Sequence, residues 1–538
     1  MCSLAFRMVI FCTPCLSYYS LGQSYDKKLE PTSFSSKKYE KEDYPLRAVL
    51  LREIFFVSTL GSCYTFFVSV LWGAATKNKV FVQKNVVKCR IFVRKNVSLR
   101  QIFVQKNVDM ERNVIKQLLG WKQKRNRKPL IINGARQVGK TYILREFGTK
   151  YYQKMAYVNC DKNEMVEKIF AQDYNIERIL LSLSALLHVN IEPENTLIIF
   201  DEIQENPVVL NSLKYFCEDA PAYHVAVAGS LLGISLHSGT SFPVGKVDMI
   251  KMYPMTFDEF LLAMGEQSLV DILKTKDFSL IDSLSLRLTD YLRQYYYVGG
   301  MPAAVLEFVE SKNLEEVRNI QKQILFDYQR DFSKHAPSQE VPRINMVWDS
   351  IPSQLAKENK KFIFGALRKG ARASDFELAI QWLVDAGLVY QINRVSAPEM
   401  PLKFYAEMSV FKLFVLDVGL MGAMVDTPAE SILVADTLLK EYKGAFTELF
   451  VLTQLMALQI PIYYFSSNDS RVEIDLIVQH GTTITPIEIK AEENVHAKSL
   501  RTFIGKHPNL KGLRLSMKPY QDQEWMINKP LYAVGTWL

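Results

Sequence analysis

The segment GARQVGKT, residues 134–141, has the glycine spacing and the Lys-Thr pair of a loop that binds phosphate groups. Its glycines let backbone amides turn inward around phosphate oxygens, and the helix that follows adds the partial positive charge of its N-terminus. Lys140 is expected to reach the β- and γ-phosphates of ATP, and the Thr141 hydroxyl to hold Mg²⁺. The predicted nucleotide-binding residues of this segment are Gly134, Ala135, Arg136, Gln137, Val138, Gly139, Lys140, Thr141 and Tyr142.

Two acids end the apolar run TLIIFDE, residues 196–202. Asp201 is predicted to contact Mg²⁺ through water, and Glu202 to polarise the attacking water, which favours hydrolysis. A third apolar run, HVAVAGS, ends at Ser230, which either senses the γ-phosphate or only caps a helix. Lys246 is either a cation supplied to a neighbouring subunit or a solvated lysine.

A second group of charged residues lies near the C-terminus, in RVEIDLIVQHGTTITPIEIKAE, residues 471–492. The two alternating runs predict a β-hairpin whose turn is centred just after Gly481. In that register Asp475 lies opposite Glu488. Two opposed carboxylates cost about 0.2–1 kcal/mol unless a cation lies between them. The hairpin therefore indicates either a metal site or a solvated sheet face with one unfavourable pair.

The same register places Arg471 opposite Glu492 and Glu473 opposite Lys490, and both are expected to form cross-strand ion pairs. Glu448 stands alone in the apolar helical segment KGAFTELFVLTQLMAL. A carboxylate on such a face needs a partner, because burying an unpaired charge is costly.

The elements that must position these residues indicate an α/β protein. The apolar run PLIIN, residues 129–133, leads directly into the phosphate loop, and apolar strands of this kind are typical of a parallel sheet covered on both faces. Residues 257–335 have a helical pattern and are expected to form a lid over the nucleotide. Residues 343–395 give helix, turn, helix and strand, an order that resembles a winged helix.

Arg368, Lys369 and Arg372 lie near the tip of that winged-helix-like segment and could contact DNA. The helix that follows carries three acids and neither Lys nor Arg, which makes it a poor reader of the major groove. A packing or protein-interaction role is the favoured interpretation.

Composition limits the classes of partner. The 538 residues carry a net charge of +8, but residues 1–109 hold 17 Lys and Arg against 7 Asp and Glu, which leaves 48 basic and 50 acidic side chains to the other 429 residues. Bulk charge therefore gives no evidence for DNA binding by the main body. Five of the 7 cysteines also lie in the first 109 residues. The two that follow suggest a reducing compartment, and the body is expected to be cytoplasmic.

Residues 1–109 differ from the rest. Residues 54–75 are an uncharged stretch long enough to span a bilayer, and residues 81–108 contain three similar copies of FVQKNV spaced by eleven residues. One interpretation is a membrane anchor with a basic stalk. The other is translated upstream repetitive DNA with the native start at Met110. Contact with a membrane is expected only if this extension is native.

Several motifs, in one order, carry a family resemblance: GARQVGKT, LIIFDEIQ, AGSLLG, FPVGKV, YPMTFDEFL and GGMP. From about Met110 to the C-terminus the chain resembles the prokaryotic AAA-superfamily ATPases that have a C-terminal domain of unknown function. The resemblance implies an ATPase with ATP and Mg²⁺ as cofactors, in which assembly with further copies would let one subunit supply a cation to its neighbour. It also implies a tail similar to restriction-endonuclease-like folds.

In such a tail, a helix Glu, an Asp and a Glu-x-Lys on a hairpin converge on Mg²⁺. Glu448, Asp475, Glu488 and Lys490 match that order. The resemblance thus implies a second metal site on the three acids, with Lys490 orienting a water or steadying a phosphate.

The expected fold is α/β: a P-loop NTPase domain of AAA type with a helical lid, a winged-helix-like segment and a restriction-endonuclease-like C-terminal domain. The expected regions are the extension (1–109), the ATP-binding domain (110–256), the lid (257–342), the winged-helix-like segment (343–398) and the tail (399–538). The expected function is ATP hydrolysis coupled to binding of DNA or a protein partner. The alternatives are an ATP-gated, metal-dependent DNA nuclease and a non-catalytic, nucleotide-switched binding protein.

Overall fold

The computed structural model describes residues 54–57, 63–66, 110–229, 243–357, 360–433, 440–467, 471–491 and 497–536. The chain divides into two compact units, Met1–Val104 and Gln105–Leu538. In the first unit, β1 (Ile54–Val57) and β2 (Cys63–Phe66) pair antiparallel.

These two strands belong to residues 54–75, the uncharged stretch that is long enough to span a bilayer. The remainder of residues 54–75 and the repeats at 81–108 lie outside the described residues. Across the residues that are described, no helix is both long and apolar enough to cross a membrane.

The second unit contains two sheets and the helices that cover them. Its described strands are β3 (Leu130–Asn133), β4 (Lys154–Asn159), β5 (Thr196–Asp201), β6 (His224–Ala228), β7 (Asp248–Lys251), β8 (Val389–Val395), β9 (Ala406–Val415), β10 (Ile462–Ser466), β11 (Glu473–His480), β12 (Thr483–Ile489), β13 (Gly512–Ser516), β14 (Gln521–Asp522) and β15 (Met526–Pro530).

Its described α-helices are α1 (Val114–Gln123), α2 (Lys140–Tyr151), α3 (Glu164–Gln172), α4 (Ile176–Leu187), α5 (Pro207–Asp219), α6 (Phe257–Ala263), α7 (Gln267–Thr275), α8 (Phe278–Ser283), α9 (Ser285–Val298), α10 (Pro302–Ser311), α11 (Leu314–His335), α12 (Val341–Leu355), α13 (Glu377–Asp385), α14 (Val418–Met424), α15 (Ala429–Leu433), α16 (Lys440–Ala457) and α17 (Lys498–Lys506).

The first sheet is parallel throughout, with strand order β4-β5-β6-β3-β7. Strand β5 is buried at every residue, as its uninterrupted apolar run predicts for a sheet covered on both faces. The phosphate-loop segment connects β3 to α2, and Asp201 ends β5. Because parallel strands end at the same edge of a sheet, this order brings the two motifs together.

Helices α6 to α11 occupy residues 257–335, where the sequence predicts a helical lid. Thr256 begins this region with a capping box: its hydroxyl accepts from the Glu259 amide, and the Glu259 carboxylate accepts from the Thr256 amide.

The second sheet is mixed and has eight described strands in the order β14-β15-β13-β12-β11-β10-β8-β9. Strand β8 pairs antiparallel with β9 and parallel with β10. The expected boundary between residues 398 and 399 therefore falls between two neighbouring strands of one sheet. The winged-helix-like segment and the tail share that sheet and are not separated at this point.

The hairpin β11–β12 has the predicted register. Leu476 pairs with Ile487 and His480 with Thr483, about a turn at Gly481, whose φ of +57° suits glycine. The register follows from alternation along both strands, because a slip of one residue would turn every side chain to the other face.

Candidate functional site

The phosphate-loop segment turns sharply, with two residues in the left-handed region of backbone conformation. Gly139 precedes α2 with φ of +94°, and Gln137 has φ of +67°. Gly134 cannot be replaced without a shift of backbone, because an added Cβ would lie 2.3 Å from the carbonyl oxygen of Met252. Gly139 therefore allows the turn into α2, and Gly134 allows the close approach of Met252, the residue that follows β7.

Lys140 is buried, with 7% of its surface exposed. Its ammonium donates to the carbonyl oxygens of Gly134 at 2.8 Å and of Ala135 at 2.7 Å, so that it lies folded back on its own loop. These are neutral acceptors, and an anionic phosphate would bind the ammonium more strongly. Burial lowers the pKa of Lys140 to about 8, although Glu202 and Asp201 act to raise it.

Thr141 and Asp201, the two predicted ligands of Mg²⁺, contact each other. The Thr141 hydroxyl donates to Asp201 Oδ1 at 3.0 Å, across the edge of the sheet. The Tyr157 hydroxyl donates to the other oxygen, Oδ2, at 2.8 Å, and the sequence had not indicated this contact. Two adjacent oxygen ligands at the end of a phosphate loop fit Mg²⁺, which prefers oxygen and keeps several waters.

Glu202 follows directly, in the left-handed region with φ of +51°. Its amide donates to Asp201 Oδ1 at 3.1 Å, and its Oε2 accepts from Gln204 Nε2 at 2.6 Å. The sharp turn at the strand end directs the Glu202 side chain to the same cavity as Lys140. A non-glycine residue held in this conformation is strained, and such strain is concentrated at functional sites.

The cavity between the sheet edge and the lid has a volume of about 420 Å³. The predicted residues that line it are Arg136, Gln137, Gly139, Lys140, Thr141, Tyr142, Asp201 and Glu202. Its apolar end is lined by Met110, Met252, Met255, Pro302, Ala303 and Leu306. A charged end and an apolar end in one cavity suit a nucleotide, whose phosphates and base differ in the same way.

A family model described as an AAA domain matches residues 126–261, which contain the phosphate loop, the strand-end acids and the parallel sheet. The chain carries an AAA-type P-loop ATPase domain. Two further models, both described as domains of unknown function (DUF8612 and DUF4143), match residues 289–431 and 443–531. No curated protein matches the chain.

Solved structures share only a distant likeness with the chain. A Walker-type ATPase of Pyrococcus abyssi is 12% identical, over 59% of this chain and 96% of that one, with a TM-score of 0.38. The RuvB Holliday junction branch migration motor of Thermotoga maritima is 12% identical, over 59% and 94%, with a TM-score of 0.24. The Orc1 protein of Aeropyrum pernix, solved with DNA, is 15% identical, over 61% and 96%, at 0.24. With TM-scores below 0.5, these similarities support no conclusion about the function of this chain.

The cavity is also lined by a residue that the sequence had not indicated. Arg112 lines the cavity and donates to the carbonyl oxygens of Val138 at 3.0 Å and Tyr253 at 2.7 Å. Its Nε lies 3.2 Å from Glu259 Oε2, and both side chains are almost fully buried. Glu259 belongs to the motif YPMTFDEFL, so this motif ties the phosphate loop to the lid. The clue was the pair of acids, Asp258 and Glu259, in a mostly apolar motif.

The GGMP motif holds the apolar end of the cavity. The Gly300 amide donates to Asp417 Oδ2 at 2.6 Å, and the Gly300 carbonyl accepts from the Met255 amide at 2.7 Å. A Cβ on Gly300 would lie 2.2 Å from the Met255 carbonyl oxygen. Glycine is therefore required where the lid approaches Met255, and Pro302, the first residue of α10, is placed against the cavity as a result.

The phosphate loop of the AAA domain is also held by helix α11. Arg136 forms an ion pair with Asp331, and Gln137 Nε2 donates to Asp327 Oδ2 at 3.0 Å. The Tyr328 hydroxyl donates to the Arg136 carbonyl oxygen at 2.8 Å. These contacts join two of the predicted nucleotide-binding residues to a helix that lies outside the AAA-domain match.

Among the described residues, the predicted Gly134, Ala135 and Val138 do not line the cavity, and neither does Lys246. Ser230 lies outside the described residues, so its role stays a prediction. The ammonium of Lys246 lies 2.8 Å from Glu218, and both side chains are partly exposed. This surface pair agrees with the solvated-lysine interpretation, and the supply of a cation to a neighbouring subunit stays a prediction.

The acids of the tail do not come together as a metal cage. Among the described residues, no group of three His, Cys, Asp or Glu side chains is placed to hold a metal ion. Glu448, which is 1% exposed, is bound by Lys412 at 3.2 Å and by Lys360. The predicted Glu473–Lys490 pair is wrong, because Glu473 binds Lys412 at 2.9 Å.

On the hairpin itself, Lys490 binds Glu488 at 2.6 Å. Asp475 Oδ2 accepts from the amide of Ile489 at 2.8 Å. Burial, together with the charge of Asp475, raises the pKa of Glu488 to about 7. The amide bound to Asp475 and the ammonium bound to Glu488 reduce the unfavourable opposition of the two carboxylates, and the part that remains contributes to the raised pKa of Glu488. Glu492, the predicted partner of Arg471, lies outside the described residues.

Proposed function

We propose that this chain binds ATP with Mg²⁺, hydrolyses it, and couples its nucleotide state to the binding of a protein or DNA partner through the regions that follow the AAA domain. The observation that carries the first part is the convergence of Lys140, Thr141, Asp201 and Glu202 on one cavity. The Lys140 ammonium leaves the carbonyls of its own loop to bind the phosphates. The hydroxyl of Thr141 and the carboxylate of Asp201 hold the metal, and Glu202 orients the attacking water.

Bound Mg²⁺ would neutralise charge on the phosphates while that charge develops. The residues of the chain would position the nucleotide and exclude bulk water. The lid residues Pro302, Ala303 and Leu306 cover the apolar end of the cavity. Hydrolysis would be favoured over transfer to a second substrate because an acid, Glu202, lines the same cavity as Lys140, which would bind the phosphates.

Lys140 predicts a pH dependence of ATP binding. Its pKa is lowered to about 8 in the free protein, so the amine is largely neutral above that pH, while bound phosphates would stabilise the charged form. ATP affinity is therefore expected to be constant below about pH 7.5 and to fall toward tenfold per pH unit above pH 8, where binding takes up a proton. Isothermal titration in buffers of different ionisation enthalpy measures this uptake, and a flat affinity from pH 7 to 9.5 would contradict it.

The coupling is supported by the contacts between the phosphate loop and α11. Arg136 and Gln137 must release or rearrange their bonds to Asp331 and Asp327 if they are to reach phosphate oxygens. Helix α11 also packs on the two helices that follow it, since Phe332 contacts the rings of both Trp348 and Trp382. A movement of the phosphate loop can thus be transmitted through these side-chain contacts to α12 and α13.

Asp331→Asn tests this route. The substitution removes the charge that holds Arg136, so we expect ATP to bind about fivefold more tightly, a factor within the usual range of coupling between sites. We also expect that nucleotide no longer changes the amide hydrogen exchange of α11 to α13. Nucleotide titration measures the affinity, and hydrogen exchange with and without an ATP analogue and Mg²⁺ measures the change in these helices. Glu316→Gln, at an exposed position early in the same helix, is the control. If nucleotide did not change the amide hydrogen exchange of the wild type, the proposed coupling would be wrong, while the ATPase assignment would be unaffected.

A protein partner is the better match to the charges of helix α13. Helix α13 reads ELAIQWLVD and carries two acids and no basic residue. Arg368 at the tip is engaged by Asp375 at 3.3 Å. Affinity for nucleic acid depends mainly on basic groups that reach phosphates, and this helix supplies none.

A further inference from the structure

A single lysine interrupts the apolar run VFKLFVLD, residues 410–417, in strand β9. Lys412 has 0% of its side chain exposed, and the residues on either side, Phe411 and Leu413, are also buried. A lysine in the interior is retained only where its charge is compensated, because desolvating an ammonium without a partner costs several kcal/mol. The contacts of Lys412 therefore determine what this part of the fold can bind.

Its ammonium contacts two carboxylates from different elements. Glu448 Oε1, on helix α16, lies at 3.2 Å, and Glu473 Oε1, at the start of β11, lies at 2.9 Å. The ring of Tyr464 in β10 lies below it, with its centroid 4.7 Å from the nitrogen. One cation thus joins a helix to two strands of the second sheet.

The second oxygen of Glu448 is also bound by a lysine, because Lys360 contacts Oε2. The two oxygens of this carboxylate, the deepest of the three predicted metal ligands, are therefore both engaged by ammonium groups. A divalent ion at Glu448 would have to displace one lysine and lie beside the other, and both steps are opposed by charge repulsion.

The charges around this position balance. Four acids, Glu448, Glu473, Asp475 and Glu488, are accompanied by four bases, Lys360, Lys412, Lys490 and Arg514. Arg514 lies beside Glu488 in the register of β12 and β13; its Nε donates to Asn528 Oδ1 at 2.8 Å, and its charge interacts with that of Glu488. Carboxylate cages for Mg²⁺ or Ca²⁺ carry excess negative charge, which the metal neutralises. The observed set does not fit that requirement.

We propose that Lys412, with Lys360, is a built-in counter-cation that neutralises the buried carboxylates in place of a metal ion. The tail then holds its helix and hairpin together by fixed ion pairs, and Glu448, Asp475 and Glu488 bind no divalent cation. The proposal is independent of ATP binding. It excludes a metal-dependent cleavage reaction at these residues because of the lysines that occupy them.

Titration of the nucleotide-free full chain with Mn²⁺, followed by the electron paramagnetic resonance signal of the free ion, tests the proposal. The wild type, Glu448→Gln and Asp475→Asn are expected to bind Mn²⁺ alike, with no site lost in either variant. Loss of a Mn²⁺ site in either variant would overturn the proposal.

Lys412→Met, which keeps the length of the side chain and removes its charge, gives the complementary result. It is expected to gain one Mn²⁺ site, because Glu448 and Glu473 are then left without Lys412, and the double variant with Glu448→Gln is expected to lose that site again. Lys403→Met, at an exposed position just before β9, is the matched control and gains none. A folded Lys412→Met that binds no more Mn²⁺ than the wild type would count against the proposal.

Should Lys412→Met fold poorly, its thermal unfolding decides the same question. The double variant with Glu448→Gln is expected to unfold at a higher temperature than Lys412→Met alone, because removing the Glu448 charge restores the balance that was lost with Lys412. Equal or lower stability of the double variant would show that Lys412 does not serve as the counter-cation of Glu448.

Discussion

Lys140→Ala is expected to lower ATP turnover by about 10²–10³-fold or more and to weaken ATP binding below detection at millimolar nucleotide, because it removes a preorganised cation from a buried site where phosphate charge must be stabilised. The ammonium now bonds to the carbonyl oxygens of Gly134 and Ala135, which are held in place to receive it. Turnover by phosphate release and binding by titration measure the two effects separately.

The control for this change is Lys150→Ala. Lys150 lies at the end of the same helix, with its side chain 44% exposed and paired to Glu146. We expect it to leave turnover and binding unchanged within about twofold, since exposed ion pairs contribute little. Lys140→Ala should also keep its fold, because removing a buried charge relieves a desolvation cost. Full turnover in the Lys140 variant, or no ATPase activity in the wild type, would contradict the assignment.

Two buried lysines in this chain illustrate why one position is open to a ligand and another is not. Lys140 bonds to neutral carbonyl oxygens of its own loop, and burial lowers its pKa to about 8. Lys412 is equally buried, but Glu448 and Glu473 outweigh that burial and raise its pKa. An incoming anion improves the surroundings of Lys140. At Lys412 the charge is already compensated, so a ligand offers no comparable gain.

What the sequence predicted correctly was local. The phosphate loop, the strand ending in Asp201 and the register of the hairpin each depend on residues close together in the chain. Glycine spacing and the alternation of apolar residues determine such features with little help from the rest of the fold. The AAA-domain match at residues 126–261 supports the same segment.

What the sequence did not predict was the pairing of charges across long distances. Glu473 was assigned to Lys490 because only the two strands of the hairpin were compared. Its partner, Lys412, reaches it from β9, and two strands, β8 and β10, lie between. Likewise the contact of Arg136 with Asp331 joins residues 195 positions apart.

A clue to Lys412 was nevertheless present. One lysine in an apolar strand and one glutamate in an apolar helix, Glu448, each lack a local partner, and each buried charge needs an opposite one. The isolation of Glu448 is visible in the sequence, and the family resemblance implied a metal as its partner. Matching isolated buried charges to one another before invoking an ion would have indicated the observed pair.

Glu202→Gln is expected to separate binding from hydrolysis. The amide keeps the shape of the side chain and can still bond to Gln204, but it cannot polarise a water by accepting its proton. Turnover should fall by about 10²–10⁴-fold, the usual contribution of general base catalysis, while ATP affinity stays within about threefold of the wild type. Single-turnover hydrolysis and nucleotide titration measure the two quantities.

Glu205→Gln is the matched control for Glu202→Gln, because Glu205 lies in the next turn, is exposed, and only approaches Lys334 at 3.7 Å. It should hydrolyse ATP at the rate of the wild type. Together the two variants distinguish a phosphate-binding role from a base role. Lys140→Ala should lose both ATP binding and turnover, whereas Glu202→Gln should lose turnover alone. That pair of results requires a phosphate-binding cation and a separate base. If Glu202→Gln retained wild-type turnover, the attacking water would have to be activated by another group. The left-handed turn that directs Glu202 to the cavity would then serve only to shape the end of β5.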